Sequence, residues 1–348
     1  MYLQKLYLQD FRQFTQATFD FDPQITLITA PNGSGKTTIL EAIELLATGK
    51  SFRAGKTAEM VRLGQELGRV YGLTDDNLRL GVTVTTGNVG GRRTAGKHFT
   101  IDKARKRQKD FVGNLLVTTF RPEDLRLIEG SSSRRRSYLD TPLTLTSPIY
   151  LQAHDTYAAV LLRRNKTLKA IKDDGLDPAT LNYYDRQLLE TGTIIQNYRQ
   201  DYFDFINNQV PFIHKLQAIY QPNFITTDRL DSHRSAEIAV GHTLVGPHKD
   251  NFLIEGPLQN QILDYAIYGS RGQQRLAVLW LKLAELHYLQ QKTGRQPLLL
   301  LDDIFSELDD TARELVLKQI HQQTTLITST EANVVKLIGT QIKQIALT

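Results

Sequence analysis

The chain has 348 residues, 41% of them hydrophobic and 23% charged, ordinary values for a globular protein long enough to form two lobes. It has no cysteine, which excludes disulfides and thiolate metal sites and suits a reducing, cytoplasmic setting. No run reaches the ~20 apolar residues that cross a bilayer, residues 1–11 lack a signal-peptide pattern, and the net charge of +5 leans mildly toward polyanionic partners.

Residues 1–130 read as mostly β with one helix. Within them "TLITAPNGSGKTTILEAIELLATGKSFR" (residues 26–53) joins a short apolar strand over 25–29 to a glycine-bearing turn and a helix over 37–47. Ile39, Leu40, Ile43 and Leu46 form one face of that helix. The turn Ala30, Pro31, Asn32, Gly33, Ser34, Gly35, Lys36, Thr37, continued by Thr38, has phosphate-loop spacing, with Ala30 in place of the usual first glycine. Gly33 and Gly35 let backbone N–H groups approach a phosphate, and the helix start adds its own N–H groups. Lys36 is expected to reach the β- and γ-phosphates and the Thr37 hydroxyl to bind Mg2+.

Residues 78–102 hold alternating strand patterns around a glycine-rich turn. Residues 92–109 carry eight Lys or Arg against the single acidic Asp102. That cluster, Arg134-Arg135-Arg136 and Arg163-Arg164 each read either as phosphate-contacting surface or as plain solvated face. The Arg134–Arg136 group also allows nucleotide sensing or lobe packing. From about 135 to 215 the pattern becomes helical. Tyr157, Val160, Leu161, Leu168 and Ile171 make one stripe, and Leu181, Tyr184, Leu188, Thr191, Ile195, Tyr198, Tyr202 and Phe205 a longer one. "DDGLDPATLNYY" holds the turn of the resulting antiparallel pair, whose reach is about 40 Å at 1.5 Å per residue. The tyrosines are expected in its core.

Near the C-terminal end, "YGSRGQQRLAVLWLKLAEL" (residues 268–286) opens an apolar helix with Ser270, Gly272 and Gln273. A helix start of this kind is either a simple N-cap or a second anion site. With one γ-phosphate per loop, a second anion site suits a nucleotide held by another subunit. "QPLLLLDDIFSELDD" (residues 296–310) is a fully buried strand ending in two acids. Asp302 is placed to orient Mg2+, and Asp303 to polarise an attacking water or else to start a helix in solvent. Lys36, Asp302 and Asp303 are therefore the expected catalytic set, with Thr37 and Asp302 as metal ligands.

The blocks quoted above, with "LYLQDFRQF" (6–14), "FRPEDLRLIEGSSSRRRSYLD" (120–140) and "LVGPHKDNF" (244–252), resemble the RecF family in motif and in order across nearly the whole chain. The resemblance implies an α/β, ABC-type P-loop ATPase head with an inserted helical lobe and no long coiled coil. The head would comprise residues 1–134 and 216–348, and the lobe 135–215. It implies ATP and Mg2+ as ligands, and an ATP-dependent homodimer in which Ser270, Gly272 and Gln273 face the partner's nucleotide. The dimer would clamp single- or double-stranded DNA at gaps or junctions, work with the RecO and RecR mediators to load RecA, and release DNA by weak, DNA-stimulated hydrolysis. Thr330 occupies the place of the γ-phosphate-sensing His of ABC transporters, which separates the chain from that class. A third expectation, a scaffold of negligible turnover, depends on how well Asp303 positions water.

Overall fold

The computed structural model describes residues 2–209, 216–258, 261–330, 335, 338 and 342–347. Two compact units result, Met1–Leu125 with Glu285–Thr348, and Arg126–Ala284.

The first unit is built on two sheets. One is parallel, in the order Val117–Phe120, Leu298–Asp302, Thr325–Ser329, Ile25–Thr29, Lys343–Ala346. The central strand Leu298–Asp302 is an apolar run up to its terminal acid, and every residue of it is buried, as a strand covered on both faces requires. The other sheet is antiparallel, in the order Phe14–Asp20, Leu3–Phe11, Leu67–Thr74, Arg79–Thr85, Lys97–Ile101, Ala104–Lys106. The helix Lys36–Thr48 touches strands of both sheets. It is therefore buried around its whole circumference, and the one-sided stripe expected from sequence is too narrow: Ala42, Leu45 and Ala47 are buried as well. Even Glu41 is 0% exposed, its carboxylate bonded by both Nε (3.0 Å) and Nη2 (2.6 Å) of Arg12.

The second unit contains the helical pair. Pro148–Asp174 and Leu181–Gln209 pack along each other, separated by a turn whose Gly175 is left-handed (φ 70°). Tyr157, Val160, Leu168 and Ile171 on one helix, and Leu181, Leu188, Ile195 and Tyr202 on the other, are buried as the two stripes predict. The same unit takes in the helices Ser132–Thr146 and Thr227–Val240 and an antiparallel sheet of Gln217–Gln221, Asn251–Leu258 and Gln261–Asp264. The head implied by the resemblance includes those strands, whereas here they fall in the unit of the helices, with aromatic packing between them: Phe203 stacks on Tyr220 at 5.0 Å and tilts against Phe252 at 5.3 Å. Residues 210–215, the end of the expected lobe, lie outside the described residues.

Asp250 anchors this unit. It is 0% exposed and accepts from Arg199 Nη1 (2.7 Å), Tyr220 Oη (2.5 Å), Gln196 Nε2 (3.0 Å) and the Asn223 N–H (2.8 Å). A second buried ionic cluster corrects the sequence expectation for Arg164, while Arg163 stays exposed. Arg164 is 0% exposed and sits 2.7 Å from both Asp185 and Glu237, so it is a cation of the interior and offers nothing to an external phosphate. The reason is that its helix presents that side to the carboxylates of two others.

Candidate nucleotide-binding site

The strand Ile25–Thr29 delivers the chain into the glycine turn, and the helix Lys36–Thr48 leaves it. Gly33 (φ 83°) and Gly35 (φ 107°) both occupy the region that L side chains rarely adopt. Gly35 is constrained twice, because a Cβ there would lie 2.4 Å from Gln13 Nε2 and 2.7 Å from the Phe14 ring. The helix has Gly35 as N-cap and no side chain capping it, so its first-turn N–H groups face the loop. Lys36 Nζ donates to the carbonyls of Ala30 (2.6 Å) and Pro31 (3.0 Å), and Ser34 Oγ donates to Pro31 O at 2.8 Å. The ammonium thus sits inside the turn, on the side where the loop amides converge. Asn32 is exposed, and Thr38 Oγ1 donates to Gln13 Oε1 at 3.1 Å.

Thr37 Oγ1 donates to Asp302 Oδ1 at 3.1 Å, which joins the two sequence-predicted metal ligands across nearly the whole chain. A hydroxyl and a carboxylate in contact are the oxygen donors a hard divalent cation takes alongside nucleotide phosphates, so these residues fit Mg2+. Burial pushes the Asp302 carboxyl above its ordinary value, against the hydrogen bonds from Thr328 and Thr37, while the charges of Glu123 and Asp303 add to the rise. Asp303 is left-handed (φ 49°) and directly follows the strand end. Its N–H donates to Thr328 O (3.0 Å), and its Oδ1 accepts from the Thr330 N–H at 3.4 Å. Lys36, Thr37, Asp302 and Asp303 all belong to the first unit.

The other predicted segment lies in the second unit. Ser270 and Gln273 cap the helix Arg271–Thr293 reciprocally: the Gln273 N–H donates to Ser270 Oγ (3.3 Å) and the Ser270 N–H to Gln273 Oε1 (2.9 Å). This capping box accounts for both residue types locally. It uses the Ser270 oxygen as acceptor and leaves the hydroxyl proton, with the backbone of Gly272 in the first turn, available to an anion.

The basic clusters separate on burial. Arg135 is turned inward to Asn251 Oδ1 (2.7 Å) and to the carbonyls of Ile128 (3.0 Å) and Gly130 (2.9 Å), and Arg136 donates to Asp250 O at 3.0 Å. These two pack their own unit. By contrast Arg92, Arg93, Lys103, Arg105 and Lys106 are exposed. Gly90 (φ 57°) and Gly91 (φ 75°) turn a hairpin that carries the first two, and Ala104–Lys106 is an edge strand of the antiparallel sheet. Sequence reasoning missed Thr328, whose only signal was a polar residue within a buried strand, and the Arg12–Glu41 pair.

Known proteins share this architecture. The family model for the RecF/RecN/SMC N-terminal domain matches residues 2–347. The DNA replication and repair protein RecF of Gloeothece citriformis is 35% identical, over 96% of this chain and 94% of that one. Two solved structures of the recombination mediator protein RecF in the RecFOR pathway are each 30% identical to it. The one with ATPrS gives a TM-score of 0.86 and covers 99% of this chain and 96% of that one. The one with ATP gives 0.84, with 96% and 93% covered.

Proposed function

This chain belongs to the RecF family of DNA replication and repair proteins, and from that premise we propose that it is an ATP-dependent DNA-binding ATPase of recombinational repair and replication restart. Its fold is the α/β, ABC-type ATPase head with an inserted helical lobe, and the longest described helix, Leu181–Gln209, has 29 residues, far short of a long coiled-coil arm. The observation that carries the proposal is the contact of Thr37 with Asp302 beside the glycine turn.

When bound, ATP supplies the transferable γ-phosphate and Mg2+ supplies positive charge on its oxygens. Amides around Gly33 and Gly35 would hold the phosphate oxygens, and the Lys36 ammonium, which donates to loop carbonyls here, would supply positive charge to them. Thr37 and Asp302 would hold the cation. Asp303 orients the attacking water and accepts its proton. Ser270 and Gly272 complete the hydrogen bonding of a γ-phosphate held by a second copy, which makes association depend on ATP and not ADP. The homodimer clamps single- or double-stranded DNA at gaps or junctions, where phosphates lie against the exposed cations of residues 92–109. Hydrolysis is slow, stimulated by DNA, and releases it. The two solved relatives are recombination mediators in the RecFOR pathway, which supports RecO and RecR as partners of this chain, with loading of RecA as the outcome of their joint action on this reading.

ATP turnover with and without gapped DNA tests this. Wild type should hydrolyse ATP faster with DNA, and Lys36→Ala should lose productive ATP binding, because the side chain aimed at the β- and γ-oxygens is gone. Unchanged ATP affinity and turnover in Lys36→Ala would reject the loop assignment, and turnover indifferent to DNA would reject the coupling.

A further inference from the structure

Two adjacent aspartates end one strand, yet the nucleotide site asks different tasks of them. Something must hold that division. Resting on the nucleotide site proposed above, we propose that Thr328, on the neighbouring parallel strand, is the positioning residue that sets the metal-orienting and water-orienting acids relative to each other. Thr328 is 0% exposed and pairs in register with Asp302. Its hydroxyl has one proton and two acceptors in range, Asp302 Oδ1 at 2.7 Å and Leu301 O at 3.4 Å, and the shorter bond takes it. The hydroxyl oxygen in turn accepts from the Asp303 N–H at 3.1 Å, and the Thr328 carbonyl accepts from the same N–H at 3.0 Å.

One residue therefore fixes the side chain of the first acid and the backbone of the second. The consequence for Asp302 is directional. Both hydroxyl bonds, from Thr37 and from Thr328, fall on Oδ1, so the plane of the carboxylate is set and Oδ2 is turned away from both. The consequence for Asp303 is conformational. Its left-handed turn is what separates its carboxylate from that of Asp302, and the shared N–H acceptors hold that turn in place. The buried donor also offsets part of the cost of an ionised carboxylate in the interior. Removing an outer hydrogen-bond partner of a metal-binding carboxylate typically lowers metal affinity roughly 10–100-fold.

The test uses the full chain with Mn2+ as the probe metal and a slowly hydrolysed ATP analogue. Bound Mn2+ is followed by electron paramagnetic resonance, and nucleotide affinity without metal is measured separately in chelator. Thr328→Val keeps the shape and loses the hydroxyl; Thr328→Ser keeps the hydroxyl. Expected is nucleotide-dependent Mn2+ binding at least about ten-fold weaker in Thr328→Val, with metal-free nucleotide affinity unchanged and Mn2+ affinity restored by Thr328→Ser. Wild-type Mn2+ affinity in Thr328→Val overturns the proposal. So does loss of metal-free nucleotide binding in both variants, which would make the residue a packing element only. Lys36→Ala is the control that separates the two levels: if it binds the analogue like wild type, the site itself has been misassigned, whatever Thr328 does.

Discussion

Asp303 is an aspartate in a backbone conformation that only Gly, Asn and Asp adopt readily, and its side chain is tied to the chain by one long bond from Thr330. Asp303→Asn keeps both the size and the left-handed turn but removes the proton acceptor. Hydrolysis should fall roughly 100-fold or more, in the range of general-base losses, with ATP affinity unchanged. Turnover at the wild-type rate would assign the water to another group. His248 gives a second residue-scale prediction. Its Nε2–H donates to Thr243 O (3.1 Å), and in the neutral ring its Nδ1 accepts from Tyr157 Oη (2.7 Å). Burial pushes it from 6.5 down to about 4, opposed by the Thr243 bond and aided by the charges of Lys249 and Arg136. Above pH 6.5 the folded and unfolded chains carry the same neutral ring, so the contribution is complete there. Between 6.5 and about 4 the unfolded chain binds the proton first, and stability falls with pH by up to about 3 kcal/mol. Thermal midpoints measured from about pH 7 to about 4.5, across that window, should drop less steeply in His248→Gln. Parallel slopes for the two proteins would remove His248 from the acid response.

At the scale of elements, the exposed cations at the sheet edge give a prediction of their own. Reversing Arg92, Arg93, Arg105 and Lys106 to Glu should weaken binding to all DNA sequences alike. It should also flatten the dependence of log affinity on log salt by roughly 0.9 for each phosphate no longer neutralised. A salt slope equal to that of wild type would leave the edge as ordinary solvated surface. The contrast with Arg164 and Arg135 shows what sequence can carry. The strand, glycine turn and helix of residues 25–48 were legible because their determinants are local: an apolar run, two positive-φ glycines and a helix-forming segment. The helical pair was legible for the same reason, through periodicity and the turn at Gly175. Arg164 was not, because its partner Asp185 is 21 residues away, and for Arg135 the packing role was one of several readings, its partner Asn251 being 116 residues away. Thr328 escaped because its partner is set by the register of a parallel sheet, which no local pattern encodes. Helix burial on all sides was hidden too, since the strands that cover it come from segments as far apart as Leu67–Thr74 and Thr325–Ser329.

At the scale of the whole molecule, the proposed reading sets two described helix starts, at Gly35 and at Ser270, against one γ-phosphate for each loop. On the proposed reading the loop at Gly33–Gly35 would enclose the phosphates of its own nucleotide, while Ser270 and Gly272 open a helix in the other unit. The capping box satisfies Ser270 as an acceptor but not as a donor. A charge-assisted hydrogen bond of that kind is worth roughly 1.5–3 kcal/mol, and a two-fold dimer forms it twice. That is enough to make association follow the γ-phosphate. Sedimentation velocity with Mg2+ and a slowly hydrolysed ATP analogue, against ADP, measures this directly in wild type and in Ser270→Arg. Wild type should be a dimer with the analogue and a monomer with ADP. Ser270→Arg should stay monomeric with both while binding the analogue normally. A wild type that is monomeric with both nucleotides, or a Ser270→Arg protein that dimerises with the analogue, would contradict ATP-driven closure through this segment.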